Sequence, residues 1–533
     1  METSMKIEAG AAFTQAEAKF KNRLAARDSN GQNRTYTMLK KRANRLGSAL
    51  RELGIAQGDR VAVLSYNRIE VLESWLALER FNMVRVVMHT HFETEVHVRT
   101  LGDVGARVLI FDAAFAGRLA DVRAKMSTVG RFICIGDTCP DWADRFEYVL
   151  AGGTDADPRL DVDEDAACFL QLTSGTTGQP KPWIHTHRSF RAVIADNLEH
   201  LDAFAPGSRA IDESDVNFHF HALQWATGFQ TLMPYLLRGA LSVIVDDSVF
   251  VPDVLVDQIV ESGATGMLVP GPMLPPLLDQ LEIRGLTAPN LRRLVIFFAT
   301  PELLKRTSRV LGECWCHGYG SSEQGAPVTR LSWAEVAGSE ARLGSVGRIP
   351  SSFCEVQVVD ETGRRLPTGA VGEIVVRSPM STGGYWGLPE KTAECFFPGG
   401  WFRANDVGFI DGDGFIYYLD RAKDRIVTAA GVVYPHVVES SLLRHQAVAN
   451  CGVVGLGEPG RQAVVAAILL KGSASGTDAL AADIKALTID LPAHQQPQAV
   501  VFVAELPTVL GGAKVQREAL QQRLSASVLA IAS

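Results

Sequence analysis

The chain has 533 residues, 47% of them hydrophobic, and a formal net charge of −8 at pH 7. This length and apolar content allow a sizeable core split over two or more domains, and the acidic balance, spread without long runs, leaves no basic footprint for nucleic acid or an anionic membrane. Apolar runs broken by Asp or Arg well short of a span, an opening Met1 to Lys6 with no apolar stretch behind it, and eight cysteines without paired metal spacing predict a cytoplasmic protein with reduced thiols, no secretion signal and no membrane span.

From about Arg60 to Thr300, β-rich apolar runs alternate with helical patterns. Strands are predicted at Arg60 to Ser65, Arg107 to Phe111, Arg131 to Ile135 and Cys168 to Leu172, with helices from Glu70 to Arg80 and from Ser189 to Leu201. Further strands follow at Leu241 to Val245, Gly266 to Val269 and Arg293 to Phe297, with a helix from Pro252 to Glu261. Such alternation is the mark of an α/β fold with parallel sheets. Between Ser345 and Tyr418 the texture changes to short strands and Gly/Pro turns, which predicts a smaller β-rich subdomain. Beyond Asp420 a compact α+β tail is expected, with strands near Cys451 to Leu456, Ala463 to Leu470 and Val500 to Val503, a helix near Ala479 to Leu487 and a terminal helix from Val515.

The first chemical motif is Thr173-Ser174-Gly175-Thr176-Thr177-Gly178-Gln179-Pro180-Lys181, directly after the strand predicted at Cys168 to Leu172. Glycines let backbone approach an anion, hydroxyls and successive N–H groups donate to phosphate oxygens, and the lysine adds a mobile positive charge. Only Thr176 and Thr177 separate the two glycines, so the spacing departs from the Walker P-loop. Four motifs follow in order. His317-Gly318-Tyr319-Gly320-Ser321-Ser322-Glu323 places a ring able to stack on a purine one turn before a carboxylate able to bind a hard cation. In Gly400 to Gly408, Asp406 can accept hydrogen bonds from vicinal ribose hydroxyls. Asp420-Arg421-Ala422-Lys423-Asp424 is a charged joint, and Gly511-Gly512-Ala513-Lys514 sets a lysine on a glycine turn.

Taken in this order, and with Gly344 to Arg348 and Gly384-Tyr385-Trp386, the motifs resemble the adenylate-forming superfamily of acyl-CoA synthetases, adenylation domains and luciferases over essentially the whole chain. The resemblance implies a large amino-terminal adenylation domain of parallel-sheet α/β subdomains plus a small β-rich subdomain (1–419), a hinge (420–424) and a small mobile α+β carboxy-terminal domain (425–533). It implies ATP, Mg²⁺ and coenzyme A as co-substrates and cofactor. The carboxylate of a small acid attacks the α-phosphate to give acyl-AMP and pyrophosphate, and CoA then displaces AMP. A carrier-protein thiol or an amine is the alternative acceptor. Position by position, it implies that Thr173, Ser174, Gly175, Thr176, Thr177, Gly178 and Lys181 cradle phosphates, and that Tyr319, Ser322 and Ala299 border the nucleotide. Glu323 and Thr176 then hold Mg²⁺, Asp406 and Arg421 bind the ribose, Lys423 is the hinge and Lys514 spans the carboxylate and α-phosphate. His221, Trp225, Phe229, Phe298 and Gly320 fall at the acid pocket.

The chain also departs from the family pattern. Phe297-Phe298-Ala299-Thr300-Pro301 stands where Ser-Gly-Gly-Ala-Pro is usual, and Phe298 either packs in the core or narrows the pocket; with Trp225 and Phe229 it suits an aromatic or short to medium acid. Pro182 replaces the glycine after Lys181, Ala404-Asn405 replaces Thr-Gly before Asp406, and Ala513 stands where glycine precedes the lysine. His219 and His221 alternate on one strand face, which allows a metal pair, although a pocket wall is the favoured reading. His185 and His187 are expected to be structural.

Overall fold

The computed structural model describes residues 5–173, 180–205, 207–288, 290–325, 327–350, 353–381, 383–472, 474–509 and 514–531. Its first large sheet has seven strands in the order Lys181–Thr186, Ala167–Thr173, Val84–Val87, Arg60–Leu64, Ala106–Asp112, Arg131–Ile135, Asp144–Arg145, all neighbours parallel except the pair at the Lys181 edge. The second has eight, in the order Thr329–Ser332, Trp315–Tyr319, Arg293–Phe297, Gly266–Pro270, Val216–His219, Leu241–Ile244, Leu24–Asp28, Asn33–Thr35, parallel through its centre and closed by an antiparallel pair at each end. Strands covered on both faces read as unbroken apolar runs, and Val61 to Leu64 are fully buried accordingly.

Four helices, Tyr36–Glu52, Ile69–Arg80, His187–Asp202 and Ala226–Leu237, share one core with both sheets. Leu46, Leu72, Trp75, Phe190, Phe229 and Leu232 cluster with Val61 and Ile110 of one sheet and Ala26 and Ile244 of the other. The helix His187–Asp202 begins in a reciprocal cap. The Ser189 N–H donates to Thr186 Oγ1 at 3.1 Å while the Thr186 N–H donates to Ser189 Oγ at 2.9 Å. This cap fixes the direction in which the chain leaves the Lys181 strand.

The β-rich segment is an antiparallel sheet in which Glu355–Val359, Gly372–Arg377, Trp401–Ile410 and Phe396–Phe397 follow one another and Ile416–Arg421 pairs with Trp401–Ile410. It is fastened to the Lys181 strand through Trp183. That fully buried ring stands edge-on to Tyr385 at 5.0 Å and to Phe402 at 5.6 Å, and backbone bonds join Ile184 N to Gly384 O (2.8 Å) and Trp386 N to Pro182 O (2.9 Å). Gly383 is required by this approach, since a Cβ there would lie 1.8 Å from the Ile184 carbonyl oxygen.

The tail is a three-stranded sheet, Val448–Leu456, Ala463–Leu470 and Ala499–Phe502, packed by the helices Pro435–Leu442 and Arg517–Ile531. Arg517, unremarked in the sequence, reaches Glu439 at 3.0 Å and Asp420 at 3.6 Å. Buried Asp420 also accepts from the N–H groups of Arg421 and His436, each at 2.7 Å. The last helix and the helix Pro435–Leu442 are thereby tied to the charged joint.

Because Trp183 carries the junction between the Lys181 strand and the antiparallel sheet, Trp183→Ala is expected to cost about 3–5 kcal/mol. A urea unfolding midpoint equal to that of the parent chain would contradict this assignment.

Candidate active site

Thr173, His219, Phe297 and Tyr319 are each the last residue of their strand, so the chemistry-bearing segments gather at the carboxyl ends of both large sheets. Crevices outside such ends are where α/β sheets bind ligands.

One group surrounds the phosphate-loop flanks. Ser174, Gly175, Thr176, Thr177 and Gly178 lie outside the described residues. Thr173 and Lys181 face each other across the antiparallel pair, and Thr173 Oγ1 donates to the Lys181 carbonyl at 3.3 Å, so the loop leaves and re-enters the sheet at one point. The Lys181 ammonium lies 5.8 Å from the Tyr385 ring centre, and the Tyr385 hydroxyl donates to Glu323 Oε1 at 3.4 Å. Burial and the neighbouring Glu323 carboxylate push the Tyr385 hydroxyl pKa up, so it stays a donor. Tyr385 had no role in the sequence reading. Its only signal was its place in the Gly384-Tyr385-Trp386 motif. Gly320 and Ser322 lie in the half-buried turn that carries Glu323.

A second group is built on Asp406. Cross-strand register sets Asp406 directly opposite Arg421, and Arg421 Nε lies 2.8 Å from Asp406 Oδ1. From the large sheet, the Tyr319 hydroxyl donates to Asp406 Oδ2 at 2.5 Å. Burial first, then the Asp406 charge, drives the Tyr319 pKa well above its ordinary value, while the same carboxylate holds Arg421 firmly protonated. The aim of Asp406 comes from a bulge: register passes from Ile374–Asp406 to Val375–Arg403, leaving Ala404 and Asn405 as the extra residues. Asn405 takes φ 57°, the left-handed region, which asparagine tolerates better than most residues. Substitution of the usual glycine there is compatible with the turn. Close by, the Ala299 N–H donates to His317 Nε2 at 3.4 Å; burial pushes His317 down to about 4, so the ring is neutral and free to accept.

The residues expected at the acid pocket do not border the cavity that the structure shows beside them. A cavity lies between the helices His187–Asp202 and Ala226–Leu237 and the second large sheet, bordered by Asn197, Thr227, Gln230, Thr231, Phe297 and Gly318. Phe229 is on the opposite side of its helix, packed on Trp75 (4.2 Å) and Phe190 (4.8 Å) in the shared core. Trp225 is the half-buried residue before the first turn of that helix and does not border the cavity. Phe298 is 57% exposed, with φ 60°, so it neither fills the core nor narrows this cavity; Phe297 borders it instead. The strand ends at Phe297 and the chain turns sharply at Phe298, which throws its ring outward.

His219 and His221 are buried with ring centres 4.2 Å apart, His221 lying just past the end of its strand. Burial pushes His221 down to about 4 and His219 well below its ordinary value. Among the described residues no group of three or more His, Cys, Asp or Glu is placed to hold a metal, so the pair has no third ligand there. His185 stacks on Phe169 at 4.4 Å, and His187 meets Asn82 Oδ1 at 3.1 Å. Lys423 Nζ lies 3.9 Å from Glu518 Oε1. Lys514 opens a two-residue strand paired with Thr508–Val509, and its side chain lies outside the described residues.

The buried imidazoles set a pH dependence. Burial pushes His89, His97, His187, His221 and His317 down to about 4 and His185 and His200 to about 3. Unfolded, they titrate near 6.5, so between those values the unfolded chain binds more protons and stability rises with pH. Carboxyls pushed up by burial, among them Glu79 to about 7 and Asp247 and Asp420 to about 6, act oppositely but are fewer. The urea midpoint is expected to fall from about pH 7.5 to about pH 5; a rise would mean that these rings are charged in the folded chain.

Compared with known proteins, residues 13–386 match the model of the AMP-binding enzyme family and residues 437–510 that of the AMP-binding enzyme C-terminal domain. A feruloyl-CoA synthase of an Amycolatopsis species is 32% identical over 496 residues, covering 92% of this chain and 94% of that protein. Among solved structures, the anthranilate CoA ligase AuaEII in complex with anthranoyl-AMP superposes with a TM-score of 0.88 at 24% identity, covering 100% of this chain and 99% of that one. The amide bond synthetase McbA of Marinactinospora thermotolerans gives 0.83 at 26%, covering 97% and 99%.

Proposed function

The chain belongs to the AMP-binding enzyme family, and on that premise we propose that it joins a carboxylic acid to coenzyme A through an acyl-AMP intermediate, with pyrophosphate and AMP as products. The observation that carries this reading is the pair of anchor groups at the strand ends: Asp406 held by Tyr319 and Arg421, and the Thr173–Lys181 flank gathered with Tyr385 and Glu323. The first suits a ribose and its base, the second a triphosphate.

Two anions must meet for an acid to attack the α-phosphate, so cations and oriented donors have to offset their repulsion and the charge that grows in the transition state. Lys181 and the loop residues Ser174, Gly175, Thr176, Thr177 and Gly178 would hold the β- and γ-phosphates. Tyr319 would lie along the adenine, with Ala299 and Ser322 at its edges, and Asp406 would accept from the ribose hydroxyls with Arg421 beside it. Glu323 fits a Mg²⁺ ion: it is a half-buried hard oxygen donor engaged by the Tyr385 hydroxyl at 3.4 Å, and Thr176 would be its partner. When bound, the ion would neutralise phosphate charge. Lys514 would bridge the acid carboxylate and the α-phosphate, and residues 420–424, with Lys423, would serve as the hinge between 1–419 and 425–533. His221 and Gly320 would border the acid's path.

The eight cysteines are free thiols and no described helix is long and apolar enough to cross a membrane, which supports a cytoplasmic setting. Turnover with a suitable acid is expected to release pyrophosphate and AMP, to stop on chelation of divalent cations, and to give a thioester only with CoA. ADP as the nucleotide product would sink the reading, and product formed from an amine or a carrier protein but not from CoA would replace the acceptor. Lys514→Ala is expected to slow acyl-AMP formation by roughly two to three orders of magnitude, while thioester formation from supplied acyl-AMP is largely kept. Equal loss of both steps would show that the lysine supports folding.

A further inference from the structure

Gln230 sits in the middle of the helix Ala226–Leu237, is 2% exposed, and neither its amide nitrogen nor its amide oxygen has a hydrogen-bond partner. A buried carboxamide left unmatched costs about 1–3 kcal/mol per polar group, and buried polar groups are otherwise almost always satisfied. Gln230 faces the cavity described above, whose walls are largely apolar: Phe204, Leu268, Val295, Phe297 and Cys316. Arg330 and His200 also border the cavity: Arg330 Nη1 donates to the His200 and Ala203 carbonyls while its Nε has no hydrogen-bond partner, and His200 Nδ1 lies 3.2 Å from Asp196 while its Nε2 has none. Other polar groups there bond within the protein. Asn197 donates to the Val193 carbonyl at 2.8 Å, Thr231 to the Thr227 carbonyl at 2.8 Å and Thr329 to the Val346 carbonyl at 2.5 Å.

The cavity also has a defined relation to the nucleotide anchor. Gly318 borders it, and the next residue, Tyr319, donates to Asp406. Phe297 borders it, and two residues on, the Ala299 N–H meets His317. Its free volume is about 20 Å³, enough for one water-sized group. An acid whose carboxylate lies at the Tyr319 end therefore sends only its remote end into this space, against Gln230.

We propose that Gln230 is a specificity-determining residue and that the acid activated here carries a neutral polar substituent, a hydroxyl or an amino group, at the end remote from its carboxylate. The carboxamide offers both a donor and an acceptor, matching either group. A purely apolar chain end would leave both atoms unmatched. This inference rests on the acid-activating function proposed above.

The test is pyrophosphate release, with the intact enzyme and Mg·ATP, over aromatic acids of one skeleton bearing a remote hydroxyl, amino, methyl, hydrogen or carboxylate, alongside saturated fatty acids. The wild type is expected to favour the hydroxyl or amino acid over its methyl counterpart by roughly a hundredfold in kcat/KM. Gln230→Leu, similar in volume and without the amide, is expected to reduce that preference to within a few-fold, with a melting temperature no lower than the parent's. A ratio unchanged in Gln230→Leu would overturn the proposal and leave Gln230 holding a trapped water. So would a wild-type preference for the methyl acid, the dicarboxylic acid or the fatty acids, with acid activation itself intact. Absence of pyrophosphate with every acid would instead remove the proposed function, and this inference with it.

Discussion

One buried carboxylate joins two sheets at the strand ends. Asp406 receives the hydroxyl of Tyr319 from the eight-stranded sheet and the guanidinium of Arg421 from its own antiparallel sheet. Taking such a charge out of water is unfavourable unless its partners are well placed, and removing one partner leaves an uncompensated buried ion. The two sheets are therefore held in register at the point where a nucleotide would lie. Arg421 is followed in this linkage by its chain neighbour Asp420, which accepts from His436 and lies within reach of Arg517. Arg421, proposed to hold the ribose, and Asp420, in the proposed hinge, are consecutive residues of one strand, so a change of ligand at Asp406 would act next to the point about which the tail would turn.

Two residues near the strand ends also hold strained backbone. Among the described residues five non-glycine residues take positive φ, and two of them, Phe298 and Asn405, lie there. For asparagine the conformation is mild. For phenylalanine it costs on the order of 1–2 kcal/mol, and the exposed ring recovers little of that by burial. Such strain persists only where the surroundings fix the backbone. Here they do: the Phe298 carbonyl is packed so tightly on Gly271 that a Cβ there would lie 2.2 Å from its oxygen.

The α/β class, the β-rich segment from Ser345 to Tyr418 and the tail were legible because they are written in local patterns. Parallel strands buried on both faces need continuous apolar runs, and Arg293–Phe297 or Ala463–Leu470 cannot be read otherwise. The motif residues Thr173, Lys181, Tyr319, Glu323, Asp406 and Arg421 were equally visible, since phosphate and ribose chemistry demands those residue types in short, glycine-rich contexts. What sequence could not assign was facing. Trp225, Phe229 and Gln230 are near neighbours in the chain, yet a helix turns about 100° per residue, and only the packing of Trp75 and Phe190 on Phe229 decides that Gln230 meets the cavity. The same holds for Phe297 and Phe298, which the turn at the strand end divides between interior and surface, and for Arg517 and Tyr385, whose partners lie 78 and 62 residues away. Residue types and short spacings determined the chemistry this chain can perform; tertiary packing alone decided which side chains face the cavity, because contacts between distant segments leave no periodic trace in the sequence.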